Sequence, residues 1–217
     1  MKASSRLAKK KMVTAFRTQE ILAAAREVLG RRGFAEMTME EIAGAAGVAK
    51  GTLYLYFQSK DELIQALITQ VGELMLQDIE AIVEASDPPP EKIRRVASLL
   101  LDYLVRERPL FPAYARDLLR EGRGAAKGYW NRLQEMEEKF VELVTRVFAE
   151  GIAQGLFIPA NPRLLTFLLR GLVRAVGYYQ MSEGQGAAVK EALPVLLTLI
   201  SVGLTPPAKD LEEVAIV

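Results

Sequence analysis

Apolar residues recur every three to four positions along most of the chain, and no stretch alternates strictly between apolar and polar. Ile21, Leu22, Ala25, Val28 and Leu29 form one apolar stripe on a helix predicted over residues 18–32. Arg31 and Arg32 then set cations at the negative end of that helix, and Gly33 supplies the residue that ends it. Thr38-Met39-Glu40-Glu41 and Ser59-Lys60-Asp61-Glu62 each place a hydroxyl three residues before a glutamate, the signature of a capping box. The first opens a short helix and the second a long one, stopped by Ser86-Asp87-Pro88-Pro89-Pro90. Between them, Ala46-Gly47-Val48 breaks the chain into two short helices.

Further on, residues 91–106 are amphipathic, 110–120 form a short segment behind Pro109 and Pro112, and 125–152 read as a long helix of mixed charge. A loop over 155–159 leads to a terminal pair, 162–181 and 187–202, in which Pro194 is expected to kink the second helix or mark its start. The pattern predicts an all-α fold: an N-terminal three-helix helix-turn-helix domain, then a domain of about six helices. The expected divisions are a flexible basic tail (1–16), the helix-turn-helix domain (17–60), a larger domain (61–205) and a C-terminal tail (206–217).

Residues 38–57 carry the chemistry. Ile42 and Ala43 face inward, Gly47 permits a sharp turn at positive φ, Val48 fills the angle, and Leu53 and Phe57 hold the second helix on the first. That leaves Lys50, Gly51, Thr52, Tyr54 and Tyr56 outward, with Lys60 just beyond. Lys50 suits guanine acceptors or a phosphate, and Thr52 offers a hydroxyl to a base edge and a methyl to thymine. Gly51 lets the backbone come close to a duplex. Tyr54, Tyr56 and Lys60 suit phosphates, contacts that position rather than specify. Read singly, each is also an ordinary surface or packing residue; together with the glycine turn and both caps they point to DNA.

Charge supports that direction. The 217 residues carry 28 basic and 27 acidic side chains, but residues 1–60 hold 11 basic and 5 acidic ones. The rest is therefore acidic by five, so a polyanion is expected at the N-terminal end. The chain has no Cys and no His, which removes disulfides, thiolate nucleophiles and the commonest metal ligands. No metal or cofactor is expected. The longest apolar run, residues 192–204, is too short to span a bilayer, so no membrane partner is expected and a cytoplasmic location is.

Residues 17–63 resemble the DNA-binding domain of the TetR family of bacterial transcriptional regulators. The resemblance rests on Thr38, Ile42-Ala43, Ala46-Gly47-Val48, Gly51-Thr52-Leu53-Tyr54, Tyr56-Phe57 and Ser59-Lys60-Asp61-Glu62-Leu63. It implies a homodimer on operator DNA, with Thr38 added to the DNA-binding set, and a C-terminal domain that senses a small molecule. Ala49 departs from the pattern, since the family usually caps the recognition helix with Ser or Thr; the missing cap costs about 1 kcal/mol.

A short recognition helix reads few base pairs, so a second copy on a palindrome is expected. The candidate dimer residues are Leu164, Phe167, Leu168 and Leu172 on one terminal helix and Leu193, Leu196, Leu197 and Ile200 on the other, with monomer core as the rival role. Leu99, Tyr103, Phe111, Tyr114, Tyr129, Trp130, Leu133, Phe140 and Tyr178 are candidates to line a pocket for a hydrophobic or amphipathic effector, again with plain core as rival. Arg170 and Arg174, four apart among apolar neighbours, suit either an anionic effector such as a fatty-acid or acyl-CoA headgroup, or salt bridges between subunits. A regulator or structural DNA binder without an effector remains open. An enzyme is a remote alternative, because Glu135, Glu137 and Glu138 lie in a run of alternating charge with no nucleophile–base pair.

Overall fold

The computed structural model describes residues 2–183 and 187–206, with the side chains of 2–11, 183, 187–190 and 193 excepted. Among the described residues there are nine helices: α1 (Lys2–Glu36), α2 (Met39–Ala45), α3 (Lys50–Tyr54), α4 (Lys60–Glu84), α5 (Pro89–Arg106), α6 (Phe111–Leu119), α7 (Lys127–Ala153), α8 (Pro162–Glu183) and α9 (Ala187–Leu204). The all-α expectation holds. One local expectation does not. Residues 2–16, expected to be a loose tail, continue α1 toward the N-terminus; Ala, Leu, Lys and Arg there are strong helix formers even without an apolar stripe. Of the two roles expected of Pro194, the start of a helix is the one α9 excludes, since it runs through that position.

The chain forms two compact units. One comprises the chain up to Val71 together with Pro109–Arg132; the other comprises Gly72–Arg108 and the chain from Leu133 onward. The division falls inside α4 and α7, not at residues 60/61, and α6 belongs with the helix-turn-helix. Arg116 shows why: its guanidinium donates from Nη2 to Asp61 in the first turn of α4 (3.1 Å) and lies 5.3 Å from the centre of the Phe34 ring.

In the first unit, the α1 stripe (Ile21, Ala25, Val28, Leu29) is buried with Met37, Ile42, Ala43, Leu53, Phe57, Leu63 and Leu67. Gly33, at φ 74°, breaks α1 where the two arginines predict its end. In the second unit, Ile79, Ile93, Val96, Leu101, Val144, Phe148, Leu165 and Leu169 make the core. Gly151 lets the Phe157 ring lie against α7, since a Cβ there would fall 2.3 Å from the ring. Asn161 caps α8, its Oδ1 accepting from the backbone N–H of Arg163 and Leu164.

Candidate nucleic-acid interface

The turn between α2 and α3 is built by local hydrogen bonds. Thr38 Oγ1 accepts from the Glu41 backbone N–H (3.2 Å) while Glu41 Oε2 accepts from the Thr38 N–H (3.1 Å), closing the capping box that opens α2. Thr38 also donates its hydroxyl to Glu41, so this side chain serves the cap first. Gly47 sits at φ 64°, and the Val48 N–H returns to the Ala43 carbonyl (3.0 Å). Helix α3 begins at Ala49 with no side-chain cap. Leu53 and Phe57 anchor it inward, leaving Lys50, Gly51 and Tyr54 exposed and Thr52 and Tyr56 half-buried. None of these five is buried. Leu55, the C-cap residue of α3, is 81% exposed beside them, which the sequence did not reveal because a lone leucine in a short helix carries no periodic signal.

Two basic residues of the set are already engaged. Lys50 Nζ lies 3.0 Å from Glu40 Oε2, and that hydrogen bond and charge hold the ammonium's pKa above its ordinary value. Lys60 turns inward: Nζ donates to the Phe34 carbonyl (2.8 Å) and sits 4.6 Å from the centre of the Phe34 ring. It ties the start of α4 to the end of α1, which takes up donors that the phosphate reading assigned to DNA. At the second box Ser59 Oγ accepts from the Glu62 N–H (3.1 Å), but Glu62 reaches the Gln58 N–H (2.6 Å) instead of the Ser59 one.

The expected effector residues divide between the units. Phe111, Tyr114, Tyr129 and Trp130 lie in the first; Leu99, Tyr103, Leu133, Phe140, Arg170, Arg174 and Tyr178 lie in the second. In the first unit, Gly122 at φ 71° seats the Trp130 indole, since a Cβ there would fall 2.3 Å from it. Tyr129 is buried beside Asp117. Burial pushes its phenol well above the ordinary range, and the Asp117 carboxylate adds to the shift. Neither Tyr129 Oη nor Asp117 Oδ2 has a hydrogen-bond partner of good geometry among the described residues. Asp117 Oδ1 accepts from Arg116 Nε (3.0 Å), so the arginine that reaches Asp61 also holds this buried carboxylate. Sequence reading missed Asp117 because a single acid in an amphipathic segment looks solvated.

In the second unit, Tyr103, Leu133 and Phe140 are buried, while Leu99 lines an open groove of about 590 Å³ with Asp78, Ile82, Arg95, Asp102, Val105 and Arg106. Tyr103 donates its hydroxyl to Asp78 (2.7 Å) beneath the Arg106 guanidinium. Arg170 and Arg174 both grip Glu137, at 2.5 and 2.8 Å. Both arginines thus form salt bridges within this chain.

Leu164, Phe167, Leu168 and Leu172 are exposed on one face of α8, and Tyr178 further along the helix is 39% exposed. On α9, Leu196 and Ile200 are corrected: both are buried in this unit's own core. Leu197 is half-buried, and the side chain of Leu193 lies outside the described residues. The exposed face of α9 carries Val195, Leu199 and Val202 instead, at the i, i+4, i+7 spacing of one face.

Among the described residues no cluster of three or more His, Cys, Asp or Glu could hold a metal, and no helix is long and apolar enough to cross a membrane. A capped helix, a glycine turn and a second helix with exposed polar residues define a helix-turn-helix DNA-binding protein. Residues 21–67 match the model of bacterial regulatory proteins, tetR family, and the whole chain has the all-α fold of that family's regulators. YhgD, an HTH-type transcriptional regulator of Bacillus subtilis, is 25% identical over 84% of this chain and 93% of its own. The fatty acid metabolism regulator protein of the same organism is 25% identical over 63% of this chain and 68% of its own. The fold matches that of FadR from Bacillus subtilis in complex with stearoyl-CoA, with a TM-score of 0.68 at 22% identity, covering 86% of this chain and 98% of that one.

Proposed function

We propose that this transcriptional regulator acts as a homodimeric repressor of a palindromic operator and is released by a small amphipathic effector of the fatty-acyl type. The observation that carries the reading is the pair of exposed apolar rows on α8 and α9, each residue named there being 38–71% exposed. A helix of five residues reads too few base pairs to act alone, and a second copy docked through those rows supplies the other half-site. The acyl class is supported by the likeness, in sequence and in fold, to the fatty-acid regulator of Bacillus subtilis, whose structure holds stearoyl-CoA. Arg170 and Arg174 are not a ready anion mouth, because Glu137 occupies both.

The test is selection of genomic fragments by the purified chain at near-physiological salt, then titration of the bound fragment with acyl-CoAs of increasing length. Enrichment of a palindrome that a long-chain acyl-CoA releases is the expected result. Sequence-blind enrichment that fades with salt would make the chain a structural DNA binder. Thr52→Ala should alter preference at one symmetric pair of positions, whereas Tyr56→Phe should weaken binding to most sequences alike.

A further inference from the structure

The recognition surface contains one acid that the DNA-contact set leaves out. Glu40 stands in the first turn of α2 with its side chain 76% exposed, and its carboxylate meets Lys50, 55% exposed, at the first position of α3. The neighbouring Glu41 is spent on the Thr38 cap and lies 3.4 Å from Arg32. Glu40 serves no cap; its carboxylate is turned to the recognition helix.

A bare carboxylate on a DNA-facing surface is costly beside phosphates, so its position calls for a compensating contact. Lys50 Nζ and Glu40 Oε2 offer a donor and an acceptor 3.0 Å apart. In the major groove a G·C pair offers the complement, guanine O6 beside cytosine N4–H, themselves about 3 Å apart as a hydrogen-bonded pair. We propose that Glu40 and Lys50 together read one G·C base pair in each half-site, Lys50 donating to guanine O6 and N7 and Glu40 accepting from cytosine N4.

The match is directional. Along the G·C edge two acceptors are followed by a donor with no acceptor beyond it, so the ammonium spans the acceptors and the carboxylate meets only the donor. In an A·T pair the adenine N6 donor lies between two acceptors, N7 and thymine O4, and a carboxylate over N6 faces a lone pair on either side. On DNA offering only phosphates, Glu40 repels and also occupies Lys50. The pair therefore lowers sequence-blind affinity while it raises affinity for the right base pair.

The inference rests on the operator-binding reading, and binding-site selection from a randomised duplex library tests both. The proteins are wild type, Glu40→Ala, Glu40→Gln and Lys50→Gln, each checked for an unchanged thermal melt, with affinity for a single random-sequence duplex measured alongside. Wild type should select G·C at one symmetric pair of positions. Glu40→Ala should reduce that preference about tenfold, and Lys50→Gln should strike the same positions. Glu40→Gln, which keeps an acceptor oxygen, should retain part of the preference. Both Glu40 variants should bind the random duplex about three- to fivefold tighter, one repelling charge having gone. A wild-type preference unchanged within twofold in Glu40→Ala overturns this inference and leaves the operator reading standing. A wild type that selects no sequence overturns both.

Discussion

Leu168 gives the sharpest test of the apolar rows, because its contribution to a dimer can be worked out beforehand. It is 54% exposed on α8, so about half of its side chain remains to be covered. Full burial of a leucine is worth about 1.5–3 kcal/mol, which leaves about 1 kcal/mol per copy for association. A two-fold interface counts every residue twice, so the pair contributes about 2 kcal/mol, roughly 30-fold in Kd. Leu168→Ala should lose most of that. Leu168→Glu should exceed a hundredfold, since it also brings two like charges to one symmetric surface. Sedimentation equilibrium across a range of concentrations reads the dissociation constant directly. Leu119, 72% exposed on α6 in the other unit, supplies the control, and Leu119→Glu should leave association within twofold. A Leu168→Glu chain that associates like the wild type would refute the assignment of this face; so would equal damage from Leu119→Glu, which would mark a general effect of added charge.

Gly47→Ala should destabilise the chain by about 1–2 kcal/mol in urea unfolding, because φ 64° is left-handed and the space around it is open, so the cost is conformational alone; Gly47→Asn should lose less. Tyr129 holds its proton to higher pH in the folded state than in the unfolded chain, where phenols titrate near 10. Its contribution is therefore complete below about pH 10 and is lost as pH rises toward the folded value. Wild type should lose up to about 1.4 kcal/mol per pH unit above 10 relative to Tyr129→Phe, and parallel stability curves for the two would contradict the burial argument. Removing residues 1–11 should flatten the plot of log K against log salt for DNA binding by about 0.9 for each phosphate their cations neutralise.

What was legible in the sequence is what a few adjacent residues determine. The Thr38–Glu41 box, the Gly47 turn, the uncapped Ala49 and the stop at Gly33 each follow from neighbours within about four positions, and all appear where expected. Pairings between distant positions were not legible. Nothing near Arg170 reveals Glu137, 33 residues earlier, and nothing near Lys60 reveals the Phe34 carbonyl that captures it. The α9 face failed for another reason. A helix apolar on nearly every side carries no phase, so Leu196 and Val195 look alike until packing buries one and exposes the other.

The distribution of charge separates two tasks along the chain. Residues 1–11 carry five basic side chains and no acid, whereas residues 12–60 carry six basic and five acidic ones and are close to neutral. Within that second stretch the cations are largely matched in place: Arg17 by Glu20, Arg31 by Glu27, Arg32 by Glu41 and Lys50 by Glu40. Lys60 is held by backbone carbonyls and the Phe34 ring. A surface so neutralised gains little from phosphates in general, so its discrimination must come from hydrogen-bond pattern and fit. The net positive charge lies ahead of it in sequence, where it would raise affinity for any duplex alike. Affinity and selectivity are thus assigned to different residues, and loss of the basic stretch should weaken every complex while leaving the order of preferred sequences intact.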